Sequence, residues 1–391
     1  MEISKQPTRR RGVAVLGAVA ALAIYMVVAA VPAWAVVNCA VTGTSPNQVM
    51  TVTLSDNLDA VTLAVDGANI EFNALACTPA ATTAGVSSIA VNADGLADNE
   101  AQTVTIDGTS DFTASITINT GAGNDVVNVN GTSGNDPITV NLAEGNDDYN
   151  GTTAGGDVTV NGGAGDDEIF AGDGDDSLAA GDGSNTVAGG AGADAITSGS
   201  SGDFVIGQGG SDSIGTGAGA DIIFGESGRD DISAGAGSDD IDAGEGSDTV
   251  APGAGDDGTV ADPVRGGTGR DTISFEDATA AVDVDLNTGS ALTGSDEDVI
   301  DSFQNVVGSG FADNVRATAE NNDVRSGNGN DSVRAGDGDD DVRGGNGNDR
   351  LRGGVGDDDL FGQNGNDRIN GGPGDDFCKG GPGRNRLRGC E

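Results

Sequence analysis

The sequence predicts an all-β fold, a parallel β-solenoid (β-roll) of stacked short coils preceded by a small N-terminal β region. Three observations lead there. Glycine fills 68 of 391 positions, about 17% against a typical ~7%. Only 36% of residues are hydrophobic and 3% aromatic, so a core of large side chains is out of reach. A nine-residue period also holds its phase through about half of the chain.

The period is read directly from the residues. From Gly162 to Val260 the chain falls into eleven units without an insertion, beginning GGAGDDEIF, AGDGDDSLA, AGDGSNTVA. The sixth position reads Asp167, Asp176, Asn185, Asp194, Asp203, Asp212, Asp221, Asp230, Asp239, Asp248 and Asp257. The eighth is aliphatic from Ile169 to Val250 and ends on Thr259. A second array of nine units runs from Gly308 to Arg388. Its sixth positions are Asp313, Asn322, Asp331, Asp340, Asp349, Asp358, Asp367, Asp376 and Asn385. Its eighth positions are aliphatic from Val315 to Ile369, then Cys378 and Leu387.

Each unit has a physical reading. Glycines at the first, second and fourth positions permit backbone angles closed to other residues, which makes a tight turn. The last three residues form a short strand with its one aliphatic side chain inward. Two units then make an eighteen-residue coil with a turn on each edge. Sixth-position aspartates recur along each edge at about one strand spacing, ~4.8 Å. Carboxylates stacked so closely repel unless a cation lies between them. Calcium suits such a gap, since it takes six to eight oxygens from carboxylates and carbonyls, whereas magnesium demands a smaller octahedral cage.

These units match GGxGxDxUx, with U aliphatic, and resemble the RTX (repeats-in-toxin, hemolysin-type) calcium-binding nonapeptide repeats. The resemblance implies calcium as the bound ion and the sixth-position aspartates as ligands. To these is added Asp271, in the out-of-phase unit GGTGRDTIS from Gly266. The two arrays allow up to nine and seven inter-turn sites respectively. Asn185, Asn322 and Asn385 keep an oxygen but lose a charge, so weaker sites are expected there. One aliphatic per nine residues cannot offset the entropy of ordering nine backbones, so the repeats are expected to fold only when calcium binds. Aliphatics fixed in phase argue against a disordered acidic linker.

The rest of the chain is less regular. Residues 1–35 combine a basic head (Lys5, Arg9, Arg10, Arg11), an apolar run and Ala33-Trp34-Ala35, the pattern of a cleaved signal peptide, or of an N-terminal anchor if uncleaved. Residues 36–103 alternate as strands, for example Val49–Leu54 and Val61–Val65. Residues 104–161 read as a degenerate, wider solenoid, with Asp125, Asp136 and Asp147 eleven residues apart and calcium less firmly implied. The regular arrays occupy 162–260 and 308–391, and 261–307 is a β insertion on one edge, similar to spacers between repeat blocks of the same family. In an exported chain four cysteines favour disulfides, and the shortest loops come from Cys39–Cys77 and Cys378–Cys390, the latter capping the open end.

Charge and residue types narrow the function. The net charge is −45, which repels nucleic acid phosphates and anionic lipid. Histidine is absent, which removes Ser-His-Asp and Cys-His catalysis and histidine-based metal sites. The second array differs from the first in carrying Arg316, Arg325, Arg334, Arg343 and Arg352 at the ninth position. These are either counter-charges to the aspartate edges or a face for an acidic surface glycan or polymer. The expectation is a secreted or cell-surface calcium-binding β-roll protein without enzymatic activity, serving adhesion or matrix scaffolding. A calcium-dependent glycan-acting enzyme or a toxin-like relative is the alternative. The N-terminal export segment and the four cysteines depart from the family's usual one-step export.

Overall fold

The computed structural model describes residues 38–44, 47–53, 60–66, 69–72, 75–76, 86–92, 101–107, 115–130, 137–152, 154–253, 262–294 and 296–391. The expected signal segment, the Cys39–Cys77 pairing, Asp136, Asp257 and Thr259 lie outside them. No helix occurs among the described residues, and none there could cross a membrane as an apolar helix.

Two parallel sheets face each other, each taking one strand per coil. In the first sheet Ser177–Asp182 pairs with Ala195–Thr197, which pairs with Ser213–Ala218, and the series continues in steps of eighteen residues. In the second, Glu168–Phe170, Thr186–Ala191, Phe204–Gly210 and Ile222–Gly228 follow the same step. Successive nonapeptides therefore alternate between sheets.

The eighth position explains why the coils stack. Ile169, Leu178, Val187, Ile196, Val205, Ile214, Ile223, Ile232, Ile241 and Val250 are all 0–2% exposed. In the second array the same holds from Val315 to Ile369. The exception is Leu387, which is 46% exposed because it lies on the last strand. Burial of this aliphatic ladder is the main apolar gain of each coil.

Coil length contracts toward the regular array. Ile89 pairs with Ile116, Ile116 with Ile138, Val140 with Val160 and Val160 with Leu178, giving steps of 27, 22, 20 and 18 residues. The N-terminal strands join the same two sheets. Asn47–Thr53, antiparallel to Asn38–Thr44, runs parallel to Val86–Asn92, and Ala60–Asp66 runs parallel to Thr103–Asp107.

The insertion is a detour in one sheet only. The first sheet continues through it, from Thr249–Ala251 to Asp271–Ser274, Phe303–Val307 and Asp323–Arg325. The second sheet passes from Asp262–Arg265 to Asp296–Asp301, then antiparallel through Ser290–Thr293 and Val282–Asp285, and resumes at Asn314–Arg316. At the far end Cys378 and Cys390 form a disulfide with Cα atoms 5.6 Å apart, and Cys378 packs against the core.

Candidate metal sites along the two edges

The turn begins with backbone the sequence had to supply. Second- and fourth-position glycines such as Gly235 and Gly237 take φ of 100° and 139°. At the fourth position space is also lacking, for a Cβ on Gly228 would overlap the carbonyl oxygen of Gly210 in the preceding coil. The first-position glycines differ from expectation. Gly189, Gly207 and Gly225 keep ordinary φ, and a Cβ there would overlap the Oδ2 atom of Asp194, Asp212 or Asp230 in the same nonapeptide. The first glycine thus makes room for its own repeat's carboxylate rather than for an unusual backbone angle.

Each sixth-position carboxylate has one oxygen engaged. Its Oδ1 accepts the N–H of the sixth-position residue one coil earlier, as from Asp176 to Asp194 at 2.8 Å and from Asp194 to Asp212 at 2.9 Å. One edge of the first array stacks Asp167, Asn185, Asp203, Asp221 and Asp239 in this way. The other stacks Asp176, Asp194, Asp212, Asp230, Asp248 and Asp271. In the second array the stacks are Asp313, Asp331, Asp349, Asp367 and Asn385, and Asn322, Asp340, Asp358 and Asp376. All described aspartates of these stacks are 0–3% exposed.

The second oxygen is the informative atom. Oδ2 of Asp167, Asp176, Asp194, Asp212, Asp221, Asp230, Asp248 and Asp271 is buried without a hydrogen-bond partner. The same holds for Asp331, Asp340, Asp349, Asp358, Asp367 and Asp376. A buried, unsatisfied carboxylate oxygen is costly, and a full row of them requires a cation or a proton. Two aspartates depart from the rule. Oδ2 of Asp203 accepts the Gly199 N–H at 3.3 Å, and Oδ2 of Asp313 accepts the Ser309 N–H at 2.7 Å.

The asparagines show what surrounds that second atom. Nδ2 of Asn185 donates to the carbonyls of Gly181 and Gly183, at 3.1 and 3.2 Å, the second and fourth positions of its own repeat. Asn385 Nδ2 donates likewise to the Gly381 carbonyl at 2.9 Å. An aspartate in the same place would turn a second oxygen toward those carbonyls. At these asparagines the amide oxygen is taken up by the stack, and the amide N–H groups occupy turn carbonyls that a cation would otherwise use. Asn322 uses its Nδ2 on the Gln304 carbonyl instead.

Burial also dominates the electrostatics of these carboxyls. Burial pushes the Asp176 carboxyl up to about 7, opposed by the Val158 N–H bond and reinforced by the stacked Asp194. Asp147 and Asp340 are also raised to about 7, first by burial. Asp167, Asp194, Asp212, Asp230, Asp271, Asp331, Asp349 and Asp358 rise to about 6 for the same leading reason.

Calcium fits this donor set: Oδ2 of the sixth-position aspartate and the turn carbonyls are all hard oxygens. No group of three or more acidic or thiol side chains converges among the described residues. Backbone carbonyls would therefore supply much of the coordination. Once bound, the ion would offset carboxylate repulsion and tie adjacent coils together.

Further members of the stacks escaped the nonapeptide period. Asp125 and Asp147 precede Asp167 on one edge, linked by the same N–H to Oδ1 bonds across steps of 22 and 20 residues. Gln304 ends the other edge of the first array, its Oε1 accepting the Asp271 N–H at 2.8 Å. The eleven-residue spacing of Asp125, Asp136 and Asp147 is the signal for these wider coils, and the stack includes Asp125 and Asp147.

The ninth-position arginines sort by sheet. Arg325 and Arg343 lie on the first sheet, where Arg343 bridges Asp341 at 2.7 Å and Asp323 at 3.3 Å, and Arg325 bridges Asp323 at 2.9 Å. Arg316 meets Asp283 and Asp285 of the inserted hairpin. Their counter-charges are thus strand and hairpin aspartates, not the turn edges. Arg334 and Arg352 make no ion pair among the described residues.

No curated protein matches the chain significantly. The family model of the RTX calcium-binding nonapeptide repeat matches residues 143–178, 179–214, 197–232, 215–250, 224–259, 307–342, 316–351 and 352–387, together just over half of the sequence. This chain, with its stacked aspartate turns, belongs to the RTX calcium-binding nonapeptide repeat family.

Proposed function

We propose that this protein is exported, folds its repeats as calcium enters the edges, and serves outside the cell as a non-enzymatic scaffold or adhesion module. The observation that carries this reading is the row of buried Oδ2 atoms without partners. Acidic turns that repel one another stay open where calcium is scarce and close where it is abundant, which suits passage through an export route before folding. The basic and apolar segment within residues 1–35 supports export, and the Cys378–Cys390 disulfide suits an oxidising compartment. The absence of histidine from the sequence supports a role without turnover.

Circular dichroism of the mature chain tests the reading. In excess chelator at neutral pH the β signal should be largely lost, and millimolar calcium, though not magnesium, should restore it. An identical β spectrum with and without chelator would refute calcium-driven folding.

A further inference from the structure

Outward residues of a coil stand at the seventh and ninth positions of its nonapeptides. On the first sheet of the second array these positions mix signs, and Asp323, Arg325, Asp341 and Arg343 neutralise one another. The second sheet of the same array is different. Its outward positions from Ser332 onward hold Arg334, Arg350, Arg352, Arg368, Arg386 and Arg388, with only Ser332 and Asn370 between them and no acid. All six guanidinium side chains are exposed. None lies within ion-pair distance of a carboxylate among the described residues.

The register sets these charges side by side. Arg334 is paired with Arg352, Arg350 with Arg368, and Arg368 with Arg386 on neighbouring parallel strands. Like charges directly opposite on adjacent strands destabilise a sheet. A chain with 63 acidic residues nevertheless leaves this ladder without one. Counter-charges supplied from outside would relieve this repulsion, and they would match the ladder best if they repeat at the strand spacing of ~4.8 Å.

We propose that this face docks a linear polycarboxylate, an extended polyuronate with one acid group per sugar, along the solenoid axis. Guanidinium groups form bidentate pairs with carboxylates, and the length of a sugar residue in an extended chain is close to the spacing between coils. Duplex nucleic acid fits worse, because each strand brings one phosphate per about 3.4 Å of helix axis. Single-stranded nucleic acid would require aromatic stacking platforms, whereas the nearby rings, Phe361 and Phe377, lie on the opposite sheet. Docking of this kind depends on the arginine ladder and not on export or calcium-driven folding of the chain.

Calorimetry of the full chain at buffered free calcium tests it, with a short oligouronate beside a neutral oligoglucan and a polyphosphate. The uronate should bind, and the R350S/R368S/R386S variant should weaken binding roughly tenfold or more. The control R325S/R343S, which removes ion-paired arginines from the other sheet, should change affinity less than about twofold. Relief of like-charge repulsion should leave the thermal midpoint of the triple variant equal or higher, which separates lost binding from misfolding. Undiminished binding by that variant, tighter binding of polyphosphate, equal binding of neutral glucan, or self-association through these arginines would each overturn the proposal.

Discussion

The two regular arrays share a backbone and differ in what they bury and display. The first fills its interior mainly with isoleucine, as at Ile196, Ile214, Ile223, Ile232 and Ile241, whereas the second begins with Val315, Val324, Val333 and Val342. Outside, the first carries Phe204 and Phe224 in contact and a single base between residues 162 and 260, Arg229. The second carries ion pairs, the unpaired arginine ladder and a closing disulfide. The stacked turns are alike in both. Glycine and aspartate are fixed by the geometry of the edge, while the interior can change in size and the outer faces are free to acquire a partner.

The broadest way to probe that likeness is pH without metal. Burial raises Asp176 and Asp340 to about 7, and Asp212 and Asp349 to about 6, from an ordinary 3.8, so these carboxyls in both arrays hold protons more tightly folded than unfolded. Their contribution to stability is full below the unfolded value and is lost as pH climbs through 6 to 7. Metal-free protein should therefore regain β structure at about pH 5, and apparent calcium affinity should fall over the same acid range as protons compete. A metal-free chain that unfolds on acidification would contradict the unpaired Oδ2 atoms in both arrays.

Truncating the interior probes the difference. Ile232→Ala should cost about 2–5 kcal/mol of calcium-loaded stability. Val333→Ala, which removes a smaller side chain, should cost less, at ~0.8 kcal/mol per deleted methylene plus a smaller cavity term. Denaturant melts of the two variants compare them. Equal losses would show that the arrays do not differ in how much each coil depends on its aliphatic.

The most local change is Asn185→Asp. Replacing the amide that donates to Gly181 and Gly183 should open a further calcium position and raise calorimetric stoichiometry by about one. The same variant should weaken local amide protection in chelator. Unchanged stoichiometry would mean that the carbonyl pair is not a cation site.

Much of this architecture is legible in a nine-residue period. Residues that recur in phase, such as Ile214 inside and Asp212 on the edge, reveal inward and edge positions without knowledge of the third dimension. What the period hides has physical causes. Asp125 and Asp147 fall outside the nine-residue count and show only through their eleven-residue spacing from Asp136, because they stack across longer coils. The part played by Gly207 depends on the Asp212 side chain five residues away, which a rule about backbone angles does not reveal. The five ninth-position arginines look equivalent in sequence, yet alternation between sheets gives Arg343 acidic neighbours and Arg352 none.

The contraction from 27 to 18 residues per coil also bears on solubility. A winding of constant girth would offer matching ends, and molecules could add to one another indefinitely as amyloid protofilaments do. Here the strands step by 27 residues between Ile89 and Ile116 but by 18 between Leu360 and the disulfide-bonded Cys378, so the two registers do not match. Unequal coil lengths would thus oppose end-to-end growth.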